Sequence, residues 1–141
     1  MVVTGIDQRA SWATFGAAGG KLSLLAHYFD GASDNEATTA LRKGVEGGKV
    51  DLFHPDGFTA AQMIVRAAGE GGDDVDKMVT ALEGWSFDGV KGKLTVRKED
   101  HALLQPMFQG KFSGAGAELK PELIKAIDPA DATPPVVQMK G

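Results

Sequence analysis

Few residues in this sequence are placed to do chemistry, and Asp7 stands apart from the rest. It lies just beyond Gly5, where the β-branched run Met1–Thr4 ends, and α/β sheets put their ligand-contacting loops at such positions. A carboxylate there can pair with the ammonium group of a ligand. It can equally fold back on its own backbone as an Asx turn. The three histidines, His27, His54 and His101, are widely separated and share no i, i+4 spacing, so no local pair of metal ligands exists. His54-Pro55-Asp56 is a local cluster, but Asp56 is better used as the cap of a following helix. Ser11, Ser23, Ser33, Ser86 and Ser113 lie in no G-x-S-x-G elbow. Asp73–Asp74 and Glu99–Asp100 fall in polar turns where solvent keeps both carboxylates ionised. Gly16–Lys21, GAAGGK, is one residue too short for a phosphate loop, and Leu22 stands where the magnesium-holding hydroxyl is needed. It reads as a flexible link into a strand. Capture of a ligand fits this inventory better than catalysis. We expect no enzyme activity, no cofactor and no metal.

The elements that would carry these residues follow from periodicity. Met1–Thr4 reads as a strand, Arg9–Phe15 as a short helix before the glycines, and Lys21–Tyr28 as a largely buried strand. Ser33 or Asp34 offers an N-cap for a helix running to Val45, with Glu36 in its first turn. The clearest helix is Asp56–Glu70, capped by Asp56, with a stripe of Phe58, Ala61, Val65 and Ala68. Asp73 caps the next, where Val75, Met78, Val79 and Leu82 share a face and Gly84 takes the C′ position. The short glycine turn between them predicts an antiparallel helix pair. From Trp85 the period becomes two, and Leu94 and Val96 point away from Thr95 and Arg97. The mixed-charge run Lys91–Asp100 reads as a solvated strand and turn. Leu103–Phe112 is extended, with Pro106 marking an edge or a crossing. Pro121–Ile127 reads as a final short helix, and the proline-containing tail from Asp128 as extended and poorly packed.

Composition bounds the class. The 141 residues are 43% apolar and 24% charged, which is globular, while 19 glycines point to many turns and close backbone contacts. The net charge of −4 is spread without a basic stripe, so nucleic acid is not an expected partner. No run approaches the ~18 apolar residues of a membrane helix, and the absence of cysteine excludes disulfides and thiol chemistry. A strand starting at residue 2, with neither a charged leader nor an apolar signal core, leads us to expect further sequence upstream.

The stretch His54–Phe112 resembles the substrate-binding proteins of branched-chain amino acid ABC transporters. The likeness is carried by the alanine-rich helix opening at Phe58-Thr59-Ala60-Ala61, the LEG-x-SFDG turn at Leu82–Gly89, and the ending GKLTVRKEDHALLQPMF. Upstream, GKLSLLAHYFDGASDNEA resembles the strand and inter-lobe crossing of that family. The resemblance implies an α/β chain forming the C-terminal portion of a two-lobe type I periplasmic-binding-protein fold with Rossmann-like lobes. It places residues 1–28 in the second lobe, 29–104 in the first, and 105–141 in a return to the second with the tail. Such proteins hold a small molecule between the lobes and capture it by hinge closure.

By the same resemblance, Asp7 receives the ligand ammonium, and Phe53 or His54 lies against the ligand, a core or hinge role being equally open for either. Tyr28 and Phe29 fall at the hinge, where packing is the alternative reading. The implied partners are an amino acid or related small ligand and an ABC permease. The implied location is the periplasm, or an anchored extracytoplasmic site, for the full-length parent. A sensory ligand-binding domain of the same fold is the alternative. The missing half of such a fold would leave strand edges and apolar helix faces uncovered, so self-association is a further expectation.

Overall fold

The computed structural model describes residues 2–4 and 8–137. Along the chain run β1 (Val2–Val3), a 3-10 helical stretch (Arg9–Lys21), β2 (Ser23–Ala26), α1 (Glu36–Gly44), α2 (His54–Gly71) and α3 (Val75–Leu82). There follow β3 (Ser86–Gly89), β4 (Gly92–Val96), β5 (Leu103–Leu104), β6 (Met107–Ser113), β7 (Lys120–Ile127) and α4 (Pro129–Ala132). The strands form two sheets, one ordered β1-β2-β6-β7 and the other β3-β4-β5. Among the described residues β1 and β2 pair in parallel and the other ladders are antiparallel.

The chain passes between the sheets twice. The first passage leaves β2 through Tyr28 and Phe29 to α1, and the second is the short step through Gln105 and Pro106 from β5 to β6. The expected extended segment Leu103–Phe112 is therefore divided between two sheets, with Pro106 at the break, where it removes a ladder donor at no cost. Both passages share one core. Tyr28 and Phe29 are fully buried and stand edge-on to Phe108, with ring centroids 6.2 and 6.4 Å away. Trp12 stands edge-on to Phe112 at 5.5 Å, closing the far end of the same cluster. Gly110 sits in the middle of β6 for want of space: a Cβ there would lie 3.0 Å from the Glu122 carbonyl oxygen and 3.1 Å from Leu24 and Phe29.

A smaller cluster of Phe87, Leu94 and Val96 lies between the second sheet and the α2–α3 pair. The tip of the β3–β4 hairpin joins the two clusters. Val90 is buried in the larger one, and its carbonyl accepts hydrogen bonds from Ser33 Oγ (2.5 Å) and Asn35 Nδ2 (3.2 Å) at the start of α1.

The structure corrects several local readings. Asn35, not Ser33 or Asp34, caps α1, its side chain accepting from the Thr38 amide at 2.9 Å. Asp74, not Asp73, caps α3 through the Lys77 amide at 3.1 Å. Helix α2 begins at His54, so Asp56 lies inside its first turn, and its carboxylate is drawn instead to Lys91. Lys91 is itself buried rather than solvated. The glycines after Phe15 do not end the helical stretch, which kinks at Gly16 and continues to Lys21.

Residues Lys120–Ile127 form a strand, not a helix, because β6 offers an open edge along its whole length. Ladder bonds to that edge outweigh the helix-like spacing of Leu123, Ile124 and Ile127. Ile124 is accommodated as the extra residue of a bulge opposite Gln109 and Gly110.

Candidate functional site

Asp7 lies outside the described residues. The Arg9 amide donates to Asp51 Oδ1 at 3.1 Å. The same oxygen accepts from the Leu52 amide at 2.8 Å, and the Asp51 amide donates to His54 Nδ1 at 2.8 Å. The His54 amide in turn reaches the Asp51 carbonyl at 3.1 Å. These bonds make Asp51–His54 a tight turn into α2 and bind it to the segment that follows β1. Because His54 Nδ1 is an acceptor, the ring in this arrangement carries its proton on Nε2.

Phe53 projects from this turn with 67% of its surface exposed, and His54 is also exposed. The two residues are thus presented to solvent rather than buried as core. Tyr28 and Phe29, by contrast, are buried at the first passage between the sheets. Burial pushes the Tyr28 phenol above its ordinary range.

The Arg9 side chain joins a cluster of charges. The Arg9 guanidinium lies 3.8 Å from Asp30 and over the Trp12 ring at 5.6 Å, and Arg42 binds the other Asp30 oxygen at 2.9 Å. A cavity of about 460 Å³ opens beside them, lined by Arg9, Trp12, Asp30, Glu118 and Lys120 among others. Here Asp30 is shared between two arginines. Among the described residues no group of three or more His, Asp or Glu could hold a metal ion, and no helix is long and apolar enough to cross a membrane.

Lys91 sets the position of this turn from behind. Its Nζ donates to Asp56 Oδ1 at 2.6 Å and to Gln105 Oε1 at 3.0 Å, tying the first turn of α2 to the second passage between the sheets. Arg9, Asp51 and Lys91 were all missed from sequence. Asp51 carries an Asx signal, being a small acid two residues past a glycine–lysine turn. Nothing local marks Arg9 or Lys91, whose partners lie 42 and 35 residues away.

A family profile described as "Periplasmic binding protein" matches residues 1–117. Among solved structures, an ABC-type branched-chain amino acid transporter from Rhodopseudomonas palustris is similar at 27% identity and a TM-score of 0.79, over 99% of this chain and 38% of that one. A leucine-, isoleucine-, valine-, threonine- and alanine-binding protein from Brucella ovis, in its closed conformation, is 19% identical with a TM-score of 0.79, over 96% of this chain and 38% of that one. A solute binding protein of an ABC transporter from Rhodopseudomonas palustris, in complex with p-hydroxybenzoic acid, is 18% identical with a TM-score of 0.73, over 90% of this chain and 36% of that one. No curated protein sequence matches. The chain thus spans less than two-fifths of the length of these structures and presents part of the two-lobe type I fold. With its profile match extending from β1 to the turn before β7, the chain belongs to the periplasmic binding protein family.

Proposed function

We propose that this chain supplies one wall of a solute-capturing cleft in the substrate-binding component of an ABC importer, working in the periplasm with a membrane permease. The observation that carries the reading is the double passage between the two sheets, with Tyr28, Phe29 and Phe108 packed where both passages meet. Two sheets joined by adjacent short passages can rotate about them and close on a guest. Residues 1–28 and 105–141 belong to one lobe and 29–104 to the other, with Tyr28 and Phe29 at the hinge. Closure requires no bond to be broken, so the role is binding and not catalysis.

The ligand is a branched-chain amino acid or a related small molecule. Asp7 receives its ammonium group, and Phe53 or His54 lines the opposite side. The hydrogen bond from Arg9 to Asp51 supports this pairing, since it binds the segment after Asp7 to the turn that presents Phe53 and His54. Calorimetric titration of the full-length gene product with leucine, valine and 4-hydroxybenzoate tests the assignment. Asp7→Asn is expected to weaken amino acid binding by ~30-fold or more, the cost of leaving an ammonium unpaired in a closed site. Binding of hydroxybenzoate, which has no ammonium, should not change. Undiminished amino acid affinity in the variant removes Asp7 from the site, and absence of binding to the whole panel overturns the solute class.

A further inference from the structure

The Pro134–Val137 segment does not trail free of the molecule. Its main chain meets a single pair of side chains in the turn after β4, Arg97 and Asp100, which are 12% and 7% exposed. Arg97 grips Asp100 with Nε at 2.7 Å and Nη2 at 2.5 Å, a two-point contact that fixes the plane of the guanidinium. Its outer donors are then aimed at the tail. Nη1 reaches the Pro134 carbonyl at 2.9 Å, and Nη2 reaches the Pro135 carbonyl at 3.4 Å. Asp100 completes the contact by accepting from the Val137 amide at 3.2 Å.

The order of these groups matches one kind of chain. Two successive proline carbonyls are read by the arginine, and the amide of Val137, two residues past the pair, is read by the aspartate. Prolines have no N–H to leave unpaired, and their fixed φ holds the segment extended before it docks. Val136 and Val137 keep their side chains exposed, so the contact is made by backbone and not by apolar burial. The tail arrives from β7 and α4, on the four-stranded sheet, while Arg97 and Asp100 follow β4 of the other sheet. Thr133 anchors the near end, its amide donating to the Pro129 carbonyl at 2.9 Å.

We infer that the Arg97–Asp100 pair is a binding site for an extended Pro-Pro segment, filled in cis by Pro134–Val137, and that the docked tail is a strap restraining the two sheets against each other. This inference stands apart from the identity of the solute. The strap is a further connection between the sheets, held by hydrogen bonds rather than by the covalent chain, and so able to release without breaking either passage.

Amide exchange and paired spin labels test it on the full chain. The sequence lacks cysteine, so Lys93→Cys and Lys125→Cys place one label on each sheet. In the parent the Val137 amide should be protected and the distance distribution narrow. Arg97→Met should speed Val137 exchange about tenfold or more, a local opening, and broaden the distribution. Because Arg97→Met also disturbs the turn, Pro134→Gly with Pro135→Gly serves as the second variant. It leaves the Arg97–Asp100 pair intact and should give the same two changes. Parent exchange at the unstructured rate, or an unbroadened distribution in the glycine variant, overturns the strap.

Discussion

Lys91 and Asp56 share one hydrogen bond of 2.6 Å, yet removing the two partners should have very different consequences. The Lys91 side chain is 1% exposed, whereas the Asp56 side chain is 49% exposed. Lys91→Met keeps most of the buried volume and leaves behind a carboxylate that water can reach. Its cost is limited to the lost bond and an unpaired Gln105 oxygen, offset in part by burial of the apolar side chain. A net loss of about 1 kcal/mol or less is expected. Asp56→Ala leaves a buried ammonium with one neutral acceptor, the situation in which breaking a buried pair costs about 3 kcal/mol or more. The favourable placement of an acid in the first turn of α2 is lost as well, adding roughly 0.5 kcal/mol. With a urea slope of about 1–3 kcal/mol per molar, the midpoint should fall by roughly 1–3.5 M for Asp56→Ala and by no more than about 0.3–1 M for Lys91→Met. The double variant should recover most of the Asp56→Ala loss. Urea denaturation followed by tryptophan fluorescence reads all three. Equal losses in the two single variants, or the reverse order, would refute the argument that burial of the surviving charge decides the cost.

Three further outcomes are expected. A Cβ on Gly71 would lie 2.6 Å from the Met78 amide nitrogen, so Gly71→Ala must part α2 from α3 and should cost about 1–3 kcal/mol, whereas Gly69→Ala, with open space around it, should gain up to about 1 kcal/mol; thermal melts of both check the pair. The Arg97 hydrogen bond holds Asp100 well below the ordinary carboxylate value of 3.8. A depressed folded-state value means the stabilisation is complete above 3.8 and is lost progressively as pH falls below it, so Asp100→Asn should flatten the acid limb of a stability–pH curve; an unchanged limb would count against the pair. Ile64, Val65, Val75 and Val79 leave an exposed apolar face on α2 and α3. Light scattering should therefore show concentration-dependent association, reduced by Ile64→Glu with Val75→Glu; a monomer at all concentrations would exclude association through this face.

How far the sequence could be read depended on the range of the interactions involved. The α2–α3 pair was legible because helical spacing and the glycine turn are local signals, although the stripe read on α2 lies exposed at Ala61, Val65 and Ala68. The caps slipped by one residue or so, since Asn35 competes with Ser33 and Asp34, and Asp74 with Asp73, for the same few amides. The passage at Pro106 was legible because proline cannot donate to a ladder. The final strand was not. Lys120–Ile127 has the spacing of a helix, and only the open edge of β6 makes it a strand.

The candidate site divides in the same way. Phe53, His54, Tyr28 and Phe29 were singled out by the family resemblance and not by a local signal of their own. That the backbone after β1 reaches Asp51, that Lys91 ties α2 to Gln105, and that Arg97 and Asp100 hold the tail are contacts across tens of residues. Local sequence determines which backbone shapes are cheap, because caps, turns and periodic stripes act within one or two turns of chain. Which distant carboxylate meets a buried lysine, and which edge a strand joins, is decided only when the packed core brings those groups together and removes the water that would otherwise satisfy them.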